Sequence, residues 1–309
     1  MNLHHLKVFH AVALTGNFSH AGQRLFLSQP AVSVQVRRLE QALGVPLVEV
    51  YGRQVHLTEA GTRLKEYADQ ILRLERDAEE AMAELQDPAR GLIRVGASTT
   101  PGTYLLPRLI AAFRRRYPAM VVALAIGNTR TITGRLLTNE LDLGIVGEKP
   151  PAEDCLVYEP WLTDQMAIIS PPDHRLAVAG IASPEEVLAE PLILRETGSS
   201  TREVLVSRLR TRGLDASPAL ELSNTEAVKQ AVAAGLGLAV VSLLTVQTEI
   251  RTGRLAVLNV PDLCLERQLH LAWHPGKRLS QAGNAWLAFL RESRGGLLED
   301  DVSQKAIWS

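Results

Sequence analysis

Apolar positions recur with helical spacing along the first forty or so residues. The stretch 3–15 predicts a helix with Leu6, Phe9, Val12 and Ala13 on one face. Ser19 is the expected cap of a short second helix holding Ala21 and Leu25. A third helix is expected to open at Ser28-Gln29-Pro30, since serine caps well and proline's missing N–H costs nothing in a first turn. It should run to Leu43 and end at Gly44. Val32, Val36, Leu39 and Leu43, stepping by four, three and four, mark its buried stripe. A hairpin turning near Tyr51-Gly52 is predicted for 48–57.

Thr58 should start a long helix reaching about Gln86. Leu64, Tyr67, Ile71, Leu74, Ala78, Ala81 and Leu85 alternate in steps of three and four, an a/d seam. Its other faces are charged (Arg63, Glu66, Asp69, Arg73, Arg76, Asp77, Glu80), which favours a narrow seam against one partner helix over packing on its own domain. Asp87-Pro88-Ala89-Arg90-Gly91 should break the helix as a hinge. From Leu92 onward short apolar runs alternate with helical patterns, predicting an α/β sheet domain. Expected strands are 92–97, 121–126, 141–146, 166–170, 191–195, 237–241 and 269–273; expected helices are 104–116, 132–138, 202–212, 225–234 and 282–292. The residues after Ser293 read as a loose polar tail.

The 309 residues, 46% hydrophobic and 22% charged, describe an ordinary globular chain of about two domains. No run approaches the roughly 18–20 apolar residues of a membrane span, and the start lacks a secretory signal, so a cytoplasmic location is expected. Cys155 and Cys264 lack metal-ligand spacing and sit among apolar residues; two buried free thiols are expected, with a redox pair as the alternative. The overall charge of −1 hides a division: residues 1–58 carry +3, residues 59–90 carry −4, and the rest balance. Only the first segment has the bias that phosphate backbones reward, and it is mild.

The exposed side of the third helix is the strongest candidate for chemistry. Gln29 can pair with adenine, Ser33 with several base edges, and Val34 can touch a thymine methyl. Arg37, Arg38 and the wing-tip Arg53 suit phosphate oxygens; Ser28, Pro30 and Ala31 complete the face. Any amphipathic helix with two arginines could be a solvated face. The helix-turn-helix spacing before it and the hairpin after it tip the balance toward double-stranded operator DNA.

Leu6-Lys7-Val8-Phe9, Gly16-Asn17-Phe18-Ser19, Leu27 through Ser33, Leu39-Glu40, Gly44-Val45-Pro46-Leu47 and Leu57-Thr58-Glu59-Ala60-Gly61 together resemble the N-terminal signature of LysR-type transcriptional regulators. Weaker likeness continues through Leu106-Pro107, Tyr117-Pro118, Glu140-Leu141-Asp142-Leu143-Gly144 and Gly235-Leu236-Gly237, to about residue 293. The resemblance implies a winged helix-turn-helix, a dimerising linker helix and an α/β effector domain shaped like a two-lobed periplasmic binding protein. It further implies a homotetramer built as a dimer of dimers, and leaves RNA polymerase open as a further partner. Carbon-fixation and sulfur-assimilation regulators are the nearest branches on general similarity. Three positions depart from the pattern: Ala21-Gly22 stands for two alanines, Leu47-Val48-Glu49-Val50 lacks the wing arginine, and Val34 replaces a residue often basic or polar.

Four small polar loops precede expected helices: Ser98-Thr99-Thr100, Asn128-Thr129, Gly198-Ser199-Ser200-Thr201-Arg202 and Asn224-Thr225. Each could simply cap its helix. Together in a binding-protein-like fold they suggest a cleft for a small anionic metabolite, with Arg202 supplying full charge. A phosphorylated sugar, a dicarboxylate and sulfate remain open. With only 5% aromatic residues and none in these loops, an apolar ligand is disfavoured. Two rival classes fare worse. A solute-binding protein has no use for the DNA-reading helix. A hydrolase would need more than Gly96-Ala97-Ser98-Thr99-Thr100, which lacks the second glycine of a nucleophile elbow, and no phosphate loop or metal motif is present. The expected organisation is therefore a DNA-binding domain at 1–58, a linker helix and hinge at 59–90, and an effector domain at 91–293. Lobe I takes 91–161 and 267–293, lobe II takes 162–266, and 294–309 is the tail. No catalytic residue, cofactor or metal is expected.

Overall fold

The computed structural model describes residues 1–51, 54–86, 91–148 and 155–305. Two compact units emerge, Met1–Gln86 and Asp87–Ser309. The expected wing-tip Arg53 and the expected hinge at 87–90 lie outside the described residues.

The first unit packs α1 (Leu3–Thr15), α2 (Phe18–Leu25) and α3 (Gln29–Leu43) around Leu6, Phe9, Val12, Ala21, Val32, Val36 and Leu39. The cap of α2 is Asn17 and not Ser19: its side chain accepts from the backbone N–H groups of Ser19 and His20. Leu43 departs from the expected stripe and is exposed, because Gly44 ends the helix as it leaves the core. The turn between α2 and α3 is unusually close. A Cβ at Gly22 would lie 2.6 Å from the Leu27 carbonyl, so the glycine admits an approach that alanine would force apart. Phe26, in that turn, adopts a left-handed φ of 56° with its ring 97% exposed. The hairpin β1 (Val48–Tyr51) and β2 (Gln54–Leu57) follows, pairing Val48 with Leu57 and Tyr51 with Gln54. The Glu40 carboxylate accepts from Leu47 and Val48 N–H and so ties this wing to α3. Thr58 caps the long helix α4 (Glu59–Gln86), its Oγ1 accepting from Gly61 N at 3.0 Å.

In the second unit β3 (Gly91–Ser98) lies between the parallel strands β4 (Met120–Gly127) and β5 (Leu143–Val146). A π-helical turn at Pro101–Leu105 leads into α5 (Leu106–Arg116), and α6 (Thr129–Leu137) returns between β4 and β5. The long β6 (Val157–Ser170) crosses from one lobe to the other. Past it come α7 (Arg175–Ala179), α8 (Pro184–Leu188), β7 (Ile193–Arg195), α9 (Ser200–Arg210), β8 (Leu220–Leu222), α10 (Thr225–Ala233), β9 (Ala239–Ser242), α11 (Gln247–Arg251) and β10 (Ala256–Leu258). Strand β11 (Glu266–Trp273) runs back beside β6, and α12 (Gln281–Lys305) closes the first lobe. The main sheet has the order β10-β6-β11-β5-β3-β4, with β9 also on β6 and β7-β8 forming a small parallel pair.

Lobe cores follow from strand periodicity. On one face of the first lobe, Ile93, Val95 and Ala97 bury against Phe113, Trp286 and Leu290 of α5 and α12; on the other, Ile132 and Leu136 of α6 pack on Val146 and Ala272. In the second, Ile168 and Val240 face α9, while their neighbours Ile169, Ala239 and Val241 face α10.

Two further expectations fail here. The sequence predicts a loose tail from 294, yet the backbone stays helical to Lys305. Gly295-Gly296 costs about 1 kcal/mol per glycine, but the helix formers Leu297, Leu298 and Glu299 follow with no proline to stop them. The cysteines are free but exposed, not buried. Leu263 and Leu265 both point inward, which turns the intervening Cys264 out.

Candidate functional site

The exposed face of α3 carries Gln29, Pro30, Val34, Arg37 and Arg38, with Ala31 and Ser33 half-buried at its edge. Ser28 is the N-cap, its Oγ accepting from Ala31 N, so this hydroxyl first serves the helix. The buried side is fixed by Val32, Val36 and Leu39, which leaves the polar face no freedom of register.

The expected seam of α4 divides. Leu64 and Ile71 pack with buried Ala68 on the helix-turn-helix core of the same chain. Asp69 meets His10 Nε2 at 2.5 Å and Glu75 meets Lys7 at 2.8 Å, so polar contacts fasten the same face to α1, while Lys65, a turn earlier on α4, bonds Asp69 at 3.0 Å. Tyr67 and Leu74, 62% and 64% exposed, form with Ala78 and Met82 a separate apolar row facing outward. The side chains of Ala81 and Leu85 lie outside the described ones.

In the effector unit one narrow cleft, open to solvent, collects Ser98, Thr99 and Thr100 after β3 and Asn128 and Thr129 at the start of α6. Across from them it collects Ser199, Ser200 and Thr201 at the start of α9, with Arg195 at the end of β7 and Arg267 on β11. The carboxyl ends of β3 and β4 open into it, the place where open α/β sheets bind ligands. Two helix N-termini point here, each worth about half a positive charge. Ser98 Oγ and Thr129 Oγ1 are buried and have no hydrogen-bond partner among the described residues, which is costly unless a ligand or water completes them.

Both arginines are buried and oriented. Arg267 pairs with Asp164 through Nε at 2.8 Å and Nη2 at 2.7 Å, and its Nη1 donates to Ser200 Oγ (2.8 Å) and Thr201 Oγ1 (3.0 Å). Since those hydroxyl oxygens accept, their own protons remain to be donated into the cleft. Arg195 donates to Glu196 (2.8 and 3.0 Å), to Thr225 Oγ1 (2.7 Å) and to the Ser223 carbonyl (3.2 Å). Burial works to raise the Glu196 carboxyl pKa, but hydrogen bonds from Arg195 and Asn128 and the Arg195 charge outweigh it, holding Glu196 below the ordinary carboxylate value.

Seven of the nine sequence-predicted effector residues thus meet in one cleft. Thr225 stands behind Arg195 instead of on the surface of the cleft. Arg202 turns away: its Nη1 bonds the Arg195 carbonyl (3.0 Å) and Glu221 (2.5 Å). Ser200, part of the third polar loop, joins the seven in the lining; the full charges come from Arg195 and Arg267, which the sequence pattern did not single out. Arg195 ends a predicted strand, a position that could have been flagged; Arg267 is brought in from a distant strand and leaves no local signal. Among the described residues no group of three His, Cys, Asp or Glu side chains could hold a metal, and no helix is long and apolar enough to cross a membrane.

A helix-turn-helix head and a two-lobed binding domain on one chain define a transcriptional regulator that joins a DNA-binding module to a small-molecule module. Residues 3–62 match the bacterial regulatory helix-turn-helix of the lysR family, and residues 86–295 match the LysR substrate binding domain. The chain belongs to the LysR family of transcriptional regulators.

Similar curated proteins include the RuBisCO operon transcriptional regulator of Allochromatium vinosum, 38% identical over 290 residues that span 94% of this chain and 95% of that protein. The transcriptional activator CmpR of Synechocystis sp. is 37% identical over 288 residues, 93% of this chain and 94% of that one. These relatives fall in the carbon-fixation branch. Among solved structures, the regulatory domain of Synechocystis PCC6803 CcmR in complex with 2-PG is 33% identical with a TM-score of 0.62, over 66% of this chain and 98% of that one. Full-length CbnR with its target DNA, 22% identical, shares the fold at a TM-score of 0.72 over 95% of this chain and 100% of that one.

Proposed function

We propose that this regulator reads a pseudo-palindromic operator with the 29–38 face and is controlled by a small phosphorylated carboxylate in the interlobe cleft. One observation carries the ligand reading. Two helix N-termini, two buried hydroxyls with no partner among the described residues and a buried arginine converge on one cleft lined by Ser, Thr, Asn and Arg side chains. Such a lining suits a compact, highly charged anion. The relative solved with 2-PG makes that molecule the first to try. The similar RuBisCO operon regulators point to carbon-fixation genes as targets. Ser98, Thr100, Thr129, Ser199 and Thr201 are the hydrogen-bonding set, with Arg195 supplying charge in place of Arg202. The regulator acts in the cytoplasm as a homotetramer on DNA, as activator or repressor, with RNA polymerase a further partner in the first case.

2-PG at a hundred times its dissociation constant should stabilise the protein by about 2.7 kcal/mol through mass action. Arg195→Met should abolish the thermal shift and Ser98→Ala should reduce it, with neither changing the ligand-free circular dichroism. Shifts produced only by neutral apolar compounds, or unchanged in both variants, would refute the site.

The DNA reading has its own test. Gln29→Ala should cost about 1–3 kcal/mol at the chromosomal site upstream of the gene and little on random DNA. Arg37→Ala should weaken both alike and flatten the salt dependence. Equal losses on both DNAs for Gln29→Ala would show that it carries no base readout.

A further inference from the structure

Each arginine in the cleft already holds a carboxylate, and the two pairs differ in accessibility. Asp164 is 1% exposed, contacts Arg267 twice and accepts from Ser242 Oγ, so it is fixed in place. Glu196 is 20% exposed. Besides Arg195, among the described residues, it engages one other side chain, Asn128, whose Nδ2 donates to it at 3.1 Å from the opposite lobe. If Glu196 swung out it would regain water. Arg195 would stay in place on Thr225 and the Ser223 carbonyl, and Asn128 would stay in place by capping α6 through Thr131 N.

We propose that Glu196 is an internal rival of the ligand: the acidic group of the bound anion takes its place between Arg195 and Asn128, and Glu196 turns out to solvent. This rests on the reading of the cleft as an anion site.

The physical reason is charge. Two anions cannot share one guanidinium at contact distance without strong repulsion, so one must leave or take up a proton. Glu196 is the one free to leave, and its departure frees a donor on each lobe. Without ligand the carboxylate neutralises Arg195 and joins the lobes through Asn128. With ligand the same two donors close on the newcomer. A monocarboxylate offers no more than Glu196 already gives, whereas a phosphate dianion offers more charge and more acceptors. Glu196 thereby sets a threshold of charge that a ligand must exceed, and acts as a determinant of specificity.

Calorimetry on the full chain with 2-PG and with inorganic phosphate tests this, comparing wild type, Glu196→Gln and Arg195→Met. Glu196→Gln removes the rival charge and keeps the shape, so it should bind both probes about tenfold more tightly. Glu196→Asp, too short to reach both partners, should fall between it and wild type. Equal or weaker binding by Glu196→Gln, with binding lost in Arg195→Met, would overturn the rival role and leave the anion cleft standing. Binding unaffected by Arg195→Met, or no binding by any of these proteins, would remove the cleft reading and this inference together.

Discussion

Asp164→Ala is expected to cost about 3–5 kcal/mol of stability, because it leaves Arg267 buried with its charge uncompensated. The Arg267 side chain is only 2% exposed, and among the described residues Asp164 is the carboxylate that contacts it. Asp164→Asn keeps an acceptor and should lose less. Exposed pairs set the contrast: breaking Arg116 from Glu292, both more than half exposed, should leave stability close to that of wild type. Urea unfolding of the three variants separates these cases. The cleft should register the change as well, since Arg267 orients the hydroxyls of Ser200 and Thr201. A loss under about 1 kcal/mol for Asp164→Ala would mean that Arg267 finds water or another partner, and that the pair is not what holds this wall.

Helix periodicity made the head of the molecule legible. Val32, Val36 and Leu39 announce the buried side of α3, and a capping serine with an early proline fixes its start. Short strands were a different matter. Leu220–Leu222 and Ala256–Leu258 hold three residues each, too few for an alternating pattern to stand out. The first half of β6 was hidden by Pro160, which argues against a strand. The structure accommodates it at a register shift, where Leu269 pairs with Leu162 but His270 pairs with Pro160. Trp161 is the residue skipped, and it buries its ring and donates to the Leu290 carbonyl.

The cleft was half legible, for a definite reason. Loops before helices advertise themselves through Ser, Thr and Asn at caps, and these were found. Charges that reach a site from inside strands carry no such mark. Arg202 looked right because it follows a cap, yet it lies one residue past Thr201 and its guanidinium is drawn off to Glu221. Arg195 and Arg267 come from strand positions whose direction only the sheet decides.

The row of Tyr67, Leu74, Ala78 and Met82 supports the prediction with the widest consequence. An a/d seam read from sequence names the apolar positions but not what covers them. Here Leu64 and Ile71 are covered by the chain's own helix-turn-helix, and the other row is left bare. Ile71→Asp should therefore damage the head itself, lowering its melting temperature. Leu74→Asp should leave the head folded and weaken self-association. Burying leucine is worth about 1.5–3 kcal/mol, and a two-fold interface counts it twice. Adding a desolvated carboxylate on each side, the dimer through this helix should weaken by at least about a hundredfold. Affinity for a pseudo-palindromic operator should then fall steeply, because each half-site would be bound alone, while weak non-specific binding persists. Sedimentation of both variants, with melting and operator titration, distinguishes the roles. Leu74→Asp with the oligomeric state and operator affinity of wild type would show that this row is solvated and that the heads are joined elsewhere.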